Sequence, residues 1–200
     1  MPTNSTFAVS ILDATLAKPL EGGPSFSLRH RIFRAVWGIT WLCLAAWTPP
    51  PLHRWRRGVL QCFGAKLDRG ARVYGSARIW YPPNLSMAAH ACIGPGVHCY
   101  CMAPISLGER AIVSQRAHLC AGTHAIDDPD FQLVAKPIQI GPEAWIAAEA
   151  FVGPGVNIAA GSVVGARAVV LRDTEAWGVY TGNPAQCIKK RAFKRPTKSA

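Results

Sequence analysis

The chain has 200 residues, enough for one good core with a small appendage. Half of its residues are hydrophobic, and 16% are charged. The formal net charge of +11 favours an anionic partner such as a membrane surface, a phosphorylated ligand or a nucleic acid, but no nucleic-acid-binding motif accompanies it, so nucleic acid is not an expected partner.

The first 25 residues lack a basic start followed by an apolar run, so no secretory signal is expected. The seven cysteines are scattered and form no CxxC pair, and Cys99 and Cys101 are too close for an ordinary disulfide. They read as reduced thiols of a cytoplasmic protein. Arg29, His30, Arg31 and Arg34 precede an uncharged run from Val36 to Trp47, and His53, Arg54, Arg56 and Arg57 follow it. That run holds Trp37, Trp41 and Trp47 and ends at Pro49-Pro50-Pro51. It is shorter than the roughly 20 residues of a membrane-spanning helix. Two readings remain open: a helix capping the main domain, or an interfacial helix with Trp and Arg at headgroup level. Residues 1–60 are thus expected to be a helical, basic region.

From residue 61 the pattern changes. Leu67, Val73 and Ile79 are spaced by six. Met87 and Ile93 resume the spacing two residues out of phase, and Leu107, Val113 and Leu119 continue it. The breaks fall at Tyr81-Pro82-Pro83 and around Cys101-Met102. After Leu119 the spacing lapses, then returns unbroken in Ile140, Ile146, Val152, Ile158, Val164 and Val170. The next residue is small in five of those six units, and the residue four positions on is always small or β-branched. Neither a helix nor a half-buried strand has period six. Such a repeat suits a chain that turns a corner every six residues, with three units making one triangular coil. The aliphatic side chain points inward and stacks on its equivalent, because one coil cannot bury its own face. The expected fold is all-β: a left-handed parallel β-helix over 61–182, with an excursion loop at about 124–138. A short basic helix or tail should follow over 183–200, where Lys189, Lys190, Arg191, Lys194, Arg195 and Lys198 cluster.

Among six histidines, His124 stands apart. It follows a small-residue turn and opens Ala125-Ile126-Asp127-Asp128-Pro129-Asp130, where the lattice is lost. Functional residues often sit where a loop leaves a rigid scaffold. From context alone, a structural loop histidine remains the competing reading.

Several segments carry a resemblance. The hexapeptides, together with Leu119-Cys120-Ala121-Gly122-Thr123-His124, resemble the catalytic region of hexapeptide-repeat, left-handed β-helix acyltransferases. Lys136-Pro137-Ile138-Gln139-Ile140-Gly141 with Ala144-Trp145-Ile146 looks like their return into the helix, and Gly182-Asn183-Pro184-Ala185 with Ile188-Lys189-Lys190 like their C-terminal signature. Arg78-Ile79-Trp80-Tyr81-Pro82 and the tryptophan-bearing N-terminus bring the chain nearest to the O-acetyltransferases of colanic-acid and exopolysaccharide biosynthesis. The resemblance covers about residues 30–193.

That resemblance implies acetyl-CoA as co-substrate, a homotrimer and a glycan acceptor. The thioester is already activated, so no metal is expected. The basic, tryptophan-rich N-terminus would suit a lipid-linked glycan intermediate at the inner membrane face, with peripheral membrane contact. The resemblance implies His124 as general base, with a backbone N–H near Ala148 holding the oxyanion. The cofactor groove would take in Ala148, Ala166, Leu171, Arg172, Gln186 and Lys189, with Trp145 against it. Ala148 stands where many relatives have Ser, and Leu171 and Gln186 where Thr and Arg are commoner. On the acceptor side, Gly94 and Met102 replace the Asn and Asp of galactoside- and maltose-type relatives, and Asp127 and Asp128 are further candidates. A γ-carbonic-anhydrase-like metal lyase using His90, His118 and His124, or a non-catalytic β-helix scaffold, are the alternatives. No phosphate loop or dinucleotide fingerprint is present.

Overall fold

The computed structural model describes residues 10–192. From Lys66 onward the chain is a parallel β-helix of two- and three-residue strands. Strands pair in parallel, coil on coil, and the inward side chains make three columns. Leu67, Met87, Leu107, Ile140 and Ile158 form the first. Val73, Ile93, Val113, Ile146, Val164 and Tyr180 form the second. Ile79, Cys99, Leu119, Val152 and Val170 form the third. All of these residues are buried. Burying each large aliphatic side chain is worth roughly 1.5–3 kcal/mol, so the columns are the source of the stack's cohesion. The two phase breaks are where expected: Pro82–Asn84 makes a short 3-10 turn, and the chain at Cys101–Pro104 bulges before Ile105.

The corners explain the small residues. At most corners one residue adopts a left-handed backbone, which glycine takes without strain at Gly70, Gly96, Gly155 and Gly161. Elsewhere Arg116, Glu149 and Arg167 occupy it at φ of 56° to 59°. Their side chains bridge successive coils, with Glu149 pairing Arg116 at 2.7 Å and Arg167 at 2.6 Å. Such exposed pairs add little stability individually, but they keep adjacent corners in line.

The N-terminal layer holds three helices: α1 (Ala14–Ala17), α2 (Leu28–Trp41, extended by a π-turn over Leu42–Ala46) and α3 (His53–Cys62). α2 caps the open end of the coil stack. The Trp37 indole N–H donates to the Ile79 carbonyl at 2.7 Å, and Trp41 donates to Gly75 at 3.0 Å. Arg56, one of the residues of the basic run, is fully buried. Its guanidinium donates to the carbonyls of Val73, Pro49 and Pro50 and to the Thr48 hydroxyl, which compensates for its removal from water.

Two expectations are revised. The excursion is a hairpin rather than an open loop: Gly122–His124 pairs antiparallel with Leu133–Ala135. The segment after Gly182 is neither helix nor tail up to Lys190. Ala185–Lys190 pairs antiparallel with Gly178–Gly182 through a cis Asn183–Pro184 turn. The physical reason is the otherwise open edge of the last strand, which a returning strand covers. Positions 193–200 of the expected tail lie outside the described residues. All seven cysteines are free.

Candidate active site

The hairpin leaves the stack after Ala121, at the corner that follows the third column. The Ala121 N–H donates to the Tyr100 carbonyl at 3.1 Å, and the Ala121 carbonyl accepts from Lys136 at 2.9 Å, which closes the hairpin's base. Gly122 then passes directly over Met102, and a Cβ there would come within 2.4 Å of the Met102 sulfur and 3.2 Å of the Tyr100 ring. Only glycine fits this path unchanged.

His124 ends the first strand of the hairpin. Its ring is exposed and stacks on Phe131, with centroids 4.9 Å apart and planes 25° apart. Its Nδ1 lies 2.7 Å from the Phe131 carbonyl oxygen. A carbonyl only accepts, so Nδ1 is the donor, and in the neutral ring Nε2 is the nitrogen that carries the lone pair. The turn that sets this geometry is built locally. Asp128 Oδ1 accepts from the Asp130 N–H, Phe131 N–H donates to the Asp128 carbonyl, and Phe131 adopts φ 54°. Asp128 is thus committed to the turn, while Asp127 is exposed beside it. Gln132 holds the hairpin from the other side. Its Oε1 accepts from the Ala14 N–H at 2.6 Å, and its Nε2 donates to the Leu12 carbonyl at 3.2 Å. Neither Gln132 nor the Phe131 carbonyl was among the expected residues. A backbone carbonyl leaves no side-chain signal, and a glutamine that binds across 118 and 120 residues has no local pattern.

The other expected residues are spread over several parts of the stack. Ala148 and Ala166 stack one above the other at the corner after the second column, where the Arg167 N–H donates to the Ala148 carbonyl at 2.9 Å. Among the described residues the N–H groups of Ala148 and Ala166 have no acceptor, so this corner has two donors to offer. Thr181, paired with Gln186, lies against Gly165, the residue before Ala166. Lys189 pairs with Val179 and is exposed, as is Arg172. Leu171 is on the corner after the third column and covers Gly153. Trp145 faces a different depression, of about 450 Å³, with Arg110, Glu143 and Arg191, and its indole donates to the Ser114 hydroxyl at 2.9 Å. Gly94 and Met102 are buried, Met102 beneath the hairpin at 1% exposure.

The remaining histidines have structural surroundings. His90 occupies a left-handed corner against Gly70. His118 stacks on His98 at 4.5 Å and meets Phe151 edge-on, and burial pushes its pKa down. The three candidates for a shared metal therefore stand on a corner, a sheet face and the hairpin. Among the described residues no group of three metal-capable side chains comes together within one chain.

No protein-family model matches the chain. It is 38% identical over 177 residues to the colanic acid biosynthesis acetyltransferase WcaF of Escherichia coli (strain K12), covering 88% of this chain and 94% of the relative. The chain belongs to this family of acetyltransferases. Among solved structures, a maltose O-acetyltransferase from Clostridium difficile 630 superposes with a TM-score of 0.73 at 21% identity, covering 84% of this chain and 90% of that one. A hexapeptide-repeat acetyltransferase from Vibrio cholerae, determined with acetyl coenzyme A, superposes with a TM-score of 0.68 at 20% identity, covering 91% and 100%. These likenesses establish the stacked-coil fold of the colanic-acid-type family member described here.

Proposed function

We propose that this protein transfers an acetyl group from acetyl-CoA to a hydroxyl of a sugar in an exopolysaccharide precursor, free or lipid-linked, and that it does so as a homotrimer with His124 as general base. The observation that carries the reading is the 2.7 Å contact of His124 Nδ1 with the Phe131 carbonyl, which leaves Nε2 free to accept a proton. A sugar hydroxyl is a poor nucleophile at neutral pH. As its oxygen attacks the thioester carbonyl, Nε2 takes its proton. The tetrahedral oxyanion needs a donor, and the Ala148 N–H, which has no acceptor among the described residues, is suited to supply it. Collapse breaks the C–S bond, and the leaving coenzyme A thiolate recovers the proton from the imidazolium. The thioester is already activated, so no protein nucleophile is needed.

His124 and Ala148 stand at different corners of one chain. A second copy that sets its hairpin beside the Ala148–Ala166 corner would bring base and donor together, which supports the trimer. In that arrangement the cofactor lies along Ala148, Ala166 and Leu171, with Arg172 and Lys189 offering cations to its phosphates. Leu171 supplies apolar contact where a hydroxyl would bond, and Gln186 supplies a neutral amide. Asp127 is exposed on the hairpin and available to a polar acceptor.

The His124→Ala variant tests the base. Turnover should fall by about 10²–10⁴-fold with acetyl-CoA affinity retained. Near-normal turnover would sink the assignment. Acetyl transfer to a panel of glycans, followed by mass spectrometry of the products, tests the reaction itself.

A further inference from the structure

α2 is apolar on two opposite faces. Trp37, Trp41 and Ala45 pack on the coils. Leu28, Ile32, Val36, Ile39 and Leu42 follow one another at three- and four-residue steps, so they lie on one face. That face points away from the protein: Ile39 is 64% exposed and Leu42 68%. Trp47, at 73%, continues it past the helix. Trp47 and Trp55 both donate their indole N–H to carbonyls of this same layer, Cys43 and Leu44, so their rings stay out with no polar group left to satisfy. Between the end of α2 and α3 the apolar surface continues into a shallow groove lined by Leu44, Trp55, Val59 and Phe63, with Arg54 at its rim. An exposed apolar surface this continuous marks a contact site.

Charge selects the occupant. No carboxylate occurs between Glu21 and Asp68, whereas Arg29, Arg31 and Arg54 are exposed there. By helical position Arg29 and Arg31 fall on the two edges of the apolar stripe. Two copies meeting through this face would oppose arginine to arginine. No described helix is long and apolar enough to cross a membrane, and a helix with this stripe and these edges lies in the plane of an interface. We propose that the outward face of α2, with Trp47 and the groove beside α3, docks the protein on an anionic lipid surface. This is independent of the acetyl-transfer reading, because plain vesicles carry no glycan acceptor.

The experiment is flotation of the full-length protein with phosphatidylglycerol/phosphatidylcholine vesicles, and with phosphatidylcholine alone. Wild type should float with the anionic vesicles and at least tenfold less with the neutral ones, and 0.5 M salt should weaken the binding, as screening by about 3–10 Å Debye lengths requires. The double variant Ile39→Asp, Leu42→Asp should lose binding at least tenfold while keeping the wild-type melting temperature, since both positions are exposed. In the unmodified protein, lipids brominated on the acyl chain should quench tryptophan emission, a reading that needs no variant to fold. Absence of both flotation and quenching would overturn the proposal. So would wild-type binding by the double variant. A dimer or higher contact in wild type that the double variant abolishes would instead assign the face to a second copy.

Discussion

The coil stack and the hairpin that leaves it are built on opposite principles. Within the stack an inward residue has equivalents above and below, and the columns are mostly aliphatic contacts repeated coil after coil. In the hairpin the geometry of one imidazole depends on a few single polar contacts: the Phe131 carbonyl, the Asp128 turn and the Gln132 clamp. The stack supplies stability through redundancy. The hairpin supplies orientation, and each of its contacts is made once. Damage should therefore unfold the protein in the first region and disable it in the second.

The largest effect should come from Val152→Asp. Val152 is completely buried between Leu119 and Val170, and an unpaired carboxyl there has no partner. The loss should exceed about 4 kcal/mol, seen as a missing cooperative transition on heating. A melt like that of wild type would break the contrast at once. Gly122→Ala tests the junction. Its Cβ would press on Met102 and Tyr100, so a loss of about 1–3 kcal/mol is expected, together with lower turnover if the hairpin shifts. Gln132→Ala should be milder in stability and selective in kinetics. It removes the two neutral hydrogen bonds to Ala14 and Leu12 and a third to the adjacent Leu133 carbonyl, each worth at most about 1 kcal/mol. The kcat should fall several-fold with the KM for acetyl-CoA unchanged, because the clamp touches the hairpin and not the Ala148 corner. A rise in KM alone would contradict that division.

The smallest effect concerns pH. Burial lowers the pKa of His30, His53, His98 and His118 below the ordinary 6.5, in each case as the largest cause. Below 6.5 the unfolded chain binds protons that the folded chain refuses, so stability falls as pH drops through that point and is intact above it. His118 is the clearest contributor, since its Nε2 is buried without a partner and its neighbour His98 would charge beside it. The His118→Phe variant should lose part of the difference in melting temperature between pH 7.5 and pH 5.5. A full difference in that variant would place the titration elsewhere.

The stack was legible because its signal is repeated. Six units from Ile140 to Val170 carry the same residue classes at the same offsets, and the prolines of Tyr81-Pro82-Pro83 mark the insertion that shifts the phase. The hairpin was legible only as a loss of signal. The lapse of period after Leu119 showed that something left the coil, but the register of Gly122–His124 on Leu133–Ala135 depends on a turn built by Asp128 and on a distant N-terminal segment. The uncharged run at Val36–Trp47 admitted a capping or an interfacial helix because it has two apolar faces: Trp37 and Trp41 fill the cap, while Ile39 and Leu42 remain outside. The burial of Arg56 has no signal in the basic run that contains it, because nothing in its neighbours announces the carbonyls of Val73, Pro49 and Pro50 that surround it.

The extra chain in the third coil leaves the lattice undisturbed. Leu107 and Ile140 are paired neighbours in the same register as Ile140 and Ile158, although far more sequence separates the first pair. Insertions and deletions at that corner are therefore invisible to the columns. Over evolutionary time such a hairpin can lengthen, shorten or change composition beyond Gly122 and Gln132 without disturbing the columns. Descendants of one donor-side scaffold can in this way come to serve different hydroxyls while the coils beneath them stay the same.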